Sequence, residues 1–165
     1  MLNLLLRAAS GLVSNVQPLA VGATAPDVTA TNQDGQLVNL GGLYKCGYVL
    51  VYFYPMAGTP GCTAQACSLR DSFDVLAQLN LTVVGVSHDS VAAQKKFALR
   101  CQLPFVLLSD PQSIIYNAFG VRGVARQSFL IKNGQIIWRE LSASTTQQAA
   151  AVIKALAADR AKSSV

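Results

Sequence analysis

The fold of this chain follows most directly from YVLVYFYPMAGTPGCTAQAC, residues 48–67. Tyr48 to Tyr54 is a continuous run of β-branched and aromatic residues, typical of a strand that is buried on both faces. Pro55 ends this strand, and a helix follows that carries Cys62 and Cys67 five positions apart. The stretch therefore predicts a buried strand followed closely by a helix with two thiols.

Strands and helices alternate beyond this stretch. Apolar residues recur at three- and four-residue spacing from Cys62 to Asn80, which predicts one helix. Leu81 to Ser87 is a second buried strand, so we expect it to lie parallel to Tyr48–Tyr54 after a right-handed crossover. The other predicted elements are a hairpin around Asp34–Gly35 (Ala25–Thr31 and Gln36–Leu40), a helix capped by Asp89 or Ser90, a strand at Phe105–Leu108, a hairpin around Asn133–Gly134 (Ser128–Lys132 and Gln135–Glu140) and a last helix from about Thr145 to Arg160. This order predicts an α/β fold, with a central mixed sheet flanked by helices and an N-terminal β-hairpin.

Length and composition indicate one ordered domain. The chain has 165 residues, of which 52% are hydrophobic and 13% charged, and this balance excludes a disordered chain. We expect residues 1–20 to be an N-terminal extension, helical or frayed, and residues 21–165 to form a single domain. The net charge of +5 comes from scattered Lys and Arg residues without a basic stripe, so no nucleic-acid partner is expected.

The N-terminal sequence and the cysteines indicate in which cellular compartment the protein is expected. No apolar run approaches the roughly 18 residues that span a membrane, so no membrane partner is expected. The N-terminal MLNLLLRAASGLVSNV has a short apolar run before Arg7, whereas a secretory signal places charge before a longer apolar core. We therefore expect a cytoplasmic protein, with an organellar transit segment as the alternative. Cysteines in a reducing compartment tend to be buried, metal-bound or catalytic.

Cys62 is placed where a thiol becomes reactive. Backbone N–H groups in the first turn of a helix have no intrahelical partner, and the helix dipole adds partial positive charge there. Both effects favour the thiolate, which is the form that attacks electrophiles. Thr59 offers a hydroxyl that can donate and accept a hydrogen bond, and Pro55 can shield the thiol from bulk water. Pro, Thr and Cys at this spacing are together a more specific sign of a reactive thiol than any one of them alone.

The segment FYPMAGTPGCTAQACSLRD, residues 53–71, resembles the peroxiredoxins, which share the pattern P-x-x-x-T-x-x-C. The second cysteine, five positions on, resembles the peroxiredoxin Q subgroup, also called bacterioferritin comigratory protein. Similarity continues through VVGVSHDSV, KKF, LPFVLLSDP and ARQSFLIKNGQI, and covers the chain from about Ala25 to Glu140. The resemblance implies a thioredoxin-like fold and thiol-dependent reduction of hydrogen peroxide and organic hydroperoxides, without a cofactor.

The resemblance also implies roles for individual residues. Cys62 would be the peroxidatic cysteine, Cys67 the resolving cysteine, and Thr59 and Pro55 would line the pocket. Arg126 matches the family arginine that pairs with the thiolate and the peroxide. The implied reductant is thioredoxin or a glutaredoxin-like protein, the implied role is antioxidant defence, and the implied oligomeric state is a monomer.

Two departures from the family pattern lie near these residues. Many members have Glu where Gln65 stands, and His where Gln94 stands. The residues of the motif itself are intact, so the predicted activity does not depend on either departure.

A disulfide between Cys62 and Cys67 would require a change in the helix. Five residues on an α-helix advance the chain by about 7.5 Å and turn it by about 140°, which places the two Cα atoms roughly 8.7 Å apart. A disulfide needs Cα atoms about 4.4–6.8 Å apart. If the two thiols join, the first turns of the helix must unwind.

Two alternatives stay open at this point. A thioredoxin-like disulfide oxidoreductase would use the same fold, although that chemistry usually has C-x-x-C rather than C-x-x-x-x-C. A thiol metal site could use Cys62, Cys67 and His88, although one histidine with scattered cysteines is poor metal spacing. Cys46 and Cys101 belong to no motif and are interpreted as structural.

Overall fold

A computed structural model of the protein describes residues 16–164. The predicted N-terminal extension at residues 1–20, and with it the transit segment, lies mostly outside the described residues. The cytoplasmic location therefore stays a prediction. The described elements are β1 (Thr29–Asn32), β2 (Leu37–Asn39), α1 (Leu40–Leu43), β3 (Tyr48–Phe53), α2 (Pro60–Asp71), α3 (Phe73–Gln78), β4 (Leu81–Ser87), α4 (Val91–Cys101), β5 (Val106–Ser109), α5 (Ile114–Phe119), β6 (Gln127–Lys132), β7 (Gln135–Glu140) and α6 (Gln148–Lys162).

Within the described part of the chain, the strands form one seven-stranded mixed sheet with the order β2-β1-β5-β4-β3-β6-β7. All six residues of β3 are buried, as the apolar run predicts. β3 pairs in parallel with β4 and antiparallel with β6, so its backbone is hydrogen-bonded on both sides. The predicted parallel pairing of β3 and β4 and both predicted hairpins are confirmed.

The sheet separates two hydrophobic cores because successive side chains of a strand point to opposite faces. Leu50, Tyr52 and Tyr54 pack on one face with the apolar sides of α2, α4 and α6, and Cys62 belongs to this core. Val51 and Phe53 pack on the other face with α5. The helix that follows β3 is therefore held against the centre of the sheet.

The prediction of one helix from Cys62 to Asn80 is wrong. The chain leaves helical geometry at Ser72, whose φ of −103° and ψ of 8° separate α2 from α3. Serine is a weak helix former because its hydroxyl competes for nearby backbone groups. The break lets Phe73 turn towards Phe105, and the two ring centroids lie 6.3 Å apart.

The last helix begins later than predicted, and α5 was not predicted at all. The Ser144 hydroxyl accepts hydrogen bonds from the N–H groups of Thr146 and Gln147, which forms a turn before α6. Asp110 accepts hydrogen bonds from three consecutive N–H groups at the start of α5, at 2.8–2.9 Å. The Asp110–Pro111 pair predicts a turn, and the same carboxylate also begins this short helix.

No helix among residues 16–164 is both long enough and apolar enough to cross a membrane.

Candidate active site

The turn between β3 and α2 places Cys62 in the first turn of the helix. Thr59 is the N-cap residue, with an extended backbone at φ −73° and ψ 155°, and Pro60 follows at the first helical position. Proline fits there because its φ suits a helix and an N–H at that position would have no intrahelical partner. The Thr59 carbonyl accepts the first helical hydrogen bond from Thr63 N at 2.8 Å. Cys62 is therefore the third residue of α2, among the backbone N–H groups that have no helical acceptor.

The hydroxyl of Thr59 does not cap the helix. It donates its hydrogen to the Met56 carbonyl at 2.9 Å, which closes the loop that follows Pro55. Because the hydroxyl hydrogen is used in this bond, the Thr59 oxygen can only accept a hydrogen bond from another donor. A second bond fixes the loop, because Ala57 N donates to the Asp89 carboxylate at 2.8 Å.

Arg126 lies directly beside the sulfur of Cys62. The Cys62 side chain is buried, and the two terminal nitrogens of Arg126 lie 3.6 Å (Nη2) and 3.7 Å (Nη1) from its Sγ atom. A guanidinium at this distance stabilises a thiolate by charge and by its N–H donors. The structure thus brings together two residues that are 64 positions apart in the sequence.

A chain of buried polar side chains holds Arg126 in this orientation. Its Nη1 donates to Gln65 Oε1 at 2.6 Å, and Gln65 Nε2 donates to Gln148 Oε1 at 2.7 Å. Gln148 Oε1 also accepts from Ser128 Oγ at 2.7 Å, and Gln148 Nε2 donates to Glu140 at 3.2 Å. Gln65, Gln148 and Ser128 are fully buried, so each needs these partners.

Sequence analysis did not find Gln148, Ser128 or Glu140. These residues differ from ordinary polar side chains in how far they are buried. No local pattern in the sequence predicts that burial. Gln65 was noted only as a departure from the family pattern, whereas in the structure it is the direct acceptor for Arg126.

Gly61 allows the guanidinium to approach the helix. A Cβ atom at this position would lie 3.1 Å from Arg126 Nη2 and 3.5 Å from the Thr145 side chain. Any larger residue would therefore push Arg126 away from Cys62 or shift the start of α2.

Cys67 lies further along the same helix and is only half-buried. Both Cys62 and Cys67 are free thiols, and α2 is continuous from Pro60 to Asp71 between and beyond them. In this arrangement the helix keeps the two sulfur atoms apart.

Tyr52 of β3 and Tyr54, just after the strand, lie in the same core as Cys62. The Tyr54 hydroxyl bonds to Gln94, whose Nε2 donates to Ser87 Oγ at 2.9 Å and to the Leu108 carbonyl at 3.0 Å. The Tyr52 hydroxyl is buried and has no hydrogen-bond partner among residues 16–164. Burial first, and the neighbouring Tyr54 and Cys62 next, raise the pKa of Tyr52 well above its usual value. Tyr52 therefore stays protonated and presents a neutral surface to the thiol.

His88 is separate from this arrangement. Its ring stacks on Tyr116 with centroids 3.9 Å apart, and its Nε2 lies 3.0 Å from Ser113 Oγ. Tyr116 belongs to the core on the face of the sheet opposite to that of Cys62. No group of three or more His, Cys, Asp or Glu side chains within residues 16–164 could hold a metal ion. The structure thus does not bring His88 to the two cysteines.

Comparisons with known proteins agree with this geometry. The model of the AhpC/TSA family matches residues 21–139. Peroxiredoxin Bcp of Bacillus subtilis is 38% identical over 137 residues, which cover 74% of this chain and 87% of that protein. Peroxiredoxin Bcp of Escherichia coli K12 is 44% identical over 117 residues, covering 71% and 73% of the two chains.

Solved structures are similar over most of their length. Peroxidoxin BcpB of Mycobacterium tuberculosis superposes with a TM-score of 0.81 at 34% identity, covering 86% of this chain and 97% of that one. Peroxiredoxin Q of Xanthomonas campestris superposes with a TM-score of 0.78 at 26% identity, covering 87% and 98%.

Proposed function

The chain belongs to the AhpC/TSA family and is a peroxiredoxin, a thiol-dependent peroxidase with a thioredoxin-like fold, and from this premise we propose that Cys62 is its peroxidatic cysteine. The observation that supports this assignment most directly is the contact of both Arg126 terminal nitrogens with Cys62 Sγ, at 3.6 and 3.7 Å. The position of Cys62 in the first turn of α2 adds the partial positive charge of the helix.

In the first step, the Cys62 thiolate attacks one oxygen of the peroxide. An S–O bond forms, the O–O bond breaks, and the sulfur becomes a sulfenic acid. The other oxygen leaves as hydroxide or alkoxide and takes up a proton to give water or an alcohol. Arg126 and the N–H groups at the start of α2 stabilise the negative charge as it moves from sulfur to the leaving oxygen. Thr59 and Pro55 shape the loop beside this centre.

In the second step, Cys67 attacks the sulfenic sulfur and releases water, which leaves a Cys62–Cys67 disulfide. The continuous helix places the two Cα atoms roughly 8.7 Å apart, which is too far for the bond. The first turns of α2 therefore unwind before the disulfide forms. The ends of helices open more readily than the core of a sheet, so this change does not require unfolding of the domain.

A dithiol protein then reduces the disulfide by thiol–disulfide exchange. We propose thioredoxin or a glutaredoxin-like protein as this reductant, and hydrogen peroxide and organic hydroperoxides as substrates, in a role of antioxidant defence. Resemblance to the peroxiredoxin Q subgroup supports action as a monomer.

The proposal is tested by peroxide-dependent oxidation of NADPH in the presence of thioredoxin and thioredoxin reductase, with hydrogen peroxide and an organic hydroperoxide as substrates. Cys62→Ser is expected to abolish turnover. Cys67→Ser is expected to permit one turnover and then to stall as the sulfenic acid, detected by dimedone labelling and mass spectrometry. Cys46→Ser is the matched control, because Cys46 is exposed and its Sγ donates to the Gly42 carbonyl of α1, at 3.9 Å. Wild-type turnover by Cys62→Ser would show that the assignment is wrong.

A further inference from the structure

Cys101 lies against Cys67 although the two residues belong to different helices. Cys101 is the last residue of α4 and is only 5% exposed. The Cys67 thiol is near enough to help raise the pKa of Cys101, and Arg70, one turn after Cys67, bonds to the Cys101 carbonyl. The peroxidase cycle described above uses Cys62 and Cys67 and leaves this third thiol without a role.

Arg70 connects the two helices at this point. It lies one turn after Cys67 on α2, and its Nη1 donates to the Cys101 carbonyl at 2.8 Å. Its Nε and Nη2 both bond to Asp71, at 2.9 and 2.8 Å, which keeps the guanidinium in place. The positive charge of Arg70 acts to lower the pKa of Cys101.

The second half of α2 is anchored both to the core and to α4. Leu69 is fully buried in the core, and Arg70 bonds to the end of α4. When the first turns unwind, we therefore expect Cys62 to move towards Cys67, while Cys67 stays beside Cys101. The sulfur that receives Cys62 is then already in contact with a second thiol.

We propose, resting on the function proposed above, that Cys101 is a second acceptor thiol that exchanges with the Cys62–Cys67 disulfide. The Cys101 sulfur loses its proton to solvent and attacks the Cys67 sulfur. A Cys67–Cys101 bond forms, the Cys62–Cys67 bond breaks, and Cys62 leaves as a thiolate. The exchange moves one disulfide without net oxidation, so the first peroxide supplies the only oxidant. Cys62 can then return to its place beside Arg126 before any external reductant arrives.

The pKa of Cys101 explains why the exchange would follow formation of the Cys62–Cys67 disulfide and not precede it. Burial first, and the adjacent Cys67 next, raise the pKa of Cys101 above its usual value in the folded, reduced chain. Once Cys67 is in a disulfide, its thiol no longer raises the pKa of Cys101. Arg100 and Arg70, which both lower the pKa of Cys101, then have the larger effect. Cys101 is thus a weak nucleophile before the first disulfide forms and a better one afterwards.

The test uses the fully reduced chain, without thioredoxin, titrated with hydrogen peroxide in the presence of dimedone. Trypsin cuts after Lys45, Arg70 and Arg100, so Cys46, Cys62 and Cys67 share the peptide 46–70 and Cys101 lies in the peptide 101–122, and the Cys46→Ser chain removes the third thiol of the first peptide. Free thiols are alkylated first, and the chain is then digested without a reducing agent. We expect the two peptides to be joined by a disulfide. We also expect Cys62 in the same joined pair to carry a dimedone adduct. About two peroxides are consumed per chain, since Cys62 is freed for a second oxidation.

Matched variants define the outcome. Cys101→Ala and Cys101→Ser are expected to consume about one peroxide per chain and to hold the disulfide within peptide 46–70, while Cys46→Ser behaves as the wild type. A wild-type chain that consumes one peroxide, with Cys101 fully alkylated and no linked peptides, overturns the proposal, and this result does not depend on the folding of any variant. Failure of the underlying peroxidase assignment is distinguishable, because Cys62→Ser would then consume as much peroxide as the wild type.

Discussion

The guanidinium of Arg126 contacts the Cys62 sulfur through both terminal nitrogens, at 3.6 and 3.7 Å, while one of them also bonds to a buried amide. Lysine has a single ammonium group and cannot make these contacts together. We expect Arg126→Lys to lower the rate constant of Cys62 oxidation by hydrogen peroxide about 100-fold, measured by stopped flow. Arg139→Lys is the control, since Arg139 bonds to the carbonyls of Pro18 and Leu19. An equal loss in both variants would contradict a specific role for Arg126.

Gln65 is fully buried and accepts a hydrogen bond from Arg126. Gln65→Leu removes the acceptor of a 2.6 Å bond and leaves part of the guanidinium unpaired in a buried site. We expect the rate constant of Cys62 oxidation to fall about tenfold. Gln65→Glu restores an acceptor for Arg126 and is expected to recover most of that rate. If Gln65→Glu were as slow as Gln65→Leu, the effect would come from packing and not from the orientation of Arg126.

In the proposed cycle, the stability of the first turns of α2 controls formation of the Cys62–Cys67 disulfide. Ala64 lies between Cys62 and Cys67, and glycine destabilises a helix interior by about 1 kcal/mol relative to alanine. Ala64→Gly is therefore expected to speed conversion of the sulfenic acid to the disulfide about fivefold, with little change in the preceding oxidation. Both phases are measured in one stopped-flow experiment. Ala157→Gly makes the same change on the exposed face of α6 and is expected to alter neither phase.

The stability of the protein should respond differently to loss of the Tyr52 hydroxyl and of the Tyr54 hydroxyl, both of which are buried. Tyr52 has no hydrogen-bond partner among residues 16–164, so Tyr52→Phe is expected to leave the free energy of unfolding unchanged or to raise it by up to about 1 kcal/mol. Tyr54→Phe removes the donor to Gln94 Oε1 in a buried site and is expected to lower the free energy of unfolding by about 1–2 kcal/mol. Urea unfolding measures both. A large loss for Tyr52→Phe would mean that its hydroxyl is satisfied in solution.

Asp159 makes the stability of α6 dependent on pH. Its Oδ2 accepts from Lys132 Nζ at 2.7 Å and Tyr48 Oη at 2.8 Å, and the bond from Lys132 is the main cause that lowers the pKa of Asp159. A lowered pKa in the folded state adds stability above the unfolded pKa of about 3.9, and this stability is lost as pH falls through the folded value. Unfolding of the wild type and Asp159→Asn should differ by at most about 1 kcal/mol near pH 7 and converge below pH ~4. A difference that stays constant with pH would exclude the carboxylate as its cause.

Local patterns in the sequence were enough to predict the centre of the fold. The apolar run of β3 and the Asn133–Gly134 turn each carry their signal within a few neighbouring residues. The break at Ser72 was missed because the apolar spacing continues through it, although the backbone does not. The short helix α5 was missed because Asp110–Pro111 is equally typical of a simple turn.

The residues of the site also fall into two groups: those that neighbouring sequence predicts, and those that only the folded structure brings together. Cys62 and its position at the start of a helix are readable from adjacent residues. The bond between Gln65 and Gln148 joins residues 83 positions apart, and no periodicity or motif brings them together. The contact of Cys101 with Cys67 depends in the same way on how α4 packs against α2, so the sequence alone indicated only an unassigned cysteine.

The two-sided pairing of β3 has a consequence for how the enzyme meets its reductant. The strand that leads to Cys62 cannot follow α2 when the helix opens, so the change in shape stays confined to one corner of the molecule. In the proposed cycle, a reductant that recognises the opened corner would bind only molecules that have already reacted with peroxide. Reduced molecules, in which α2 is closed, would not be bound.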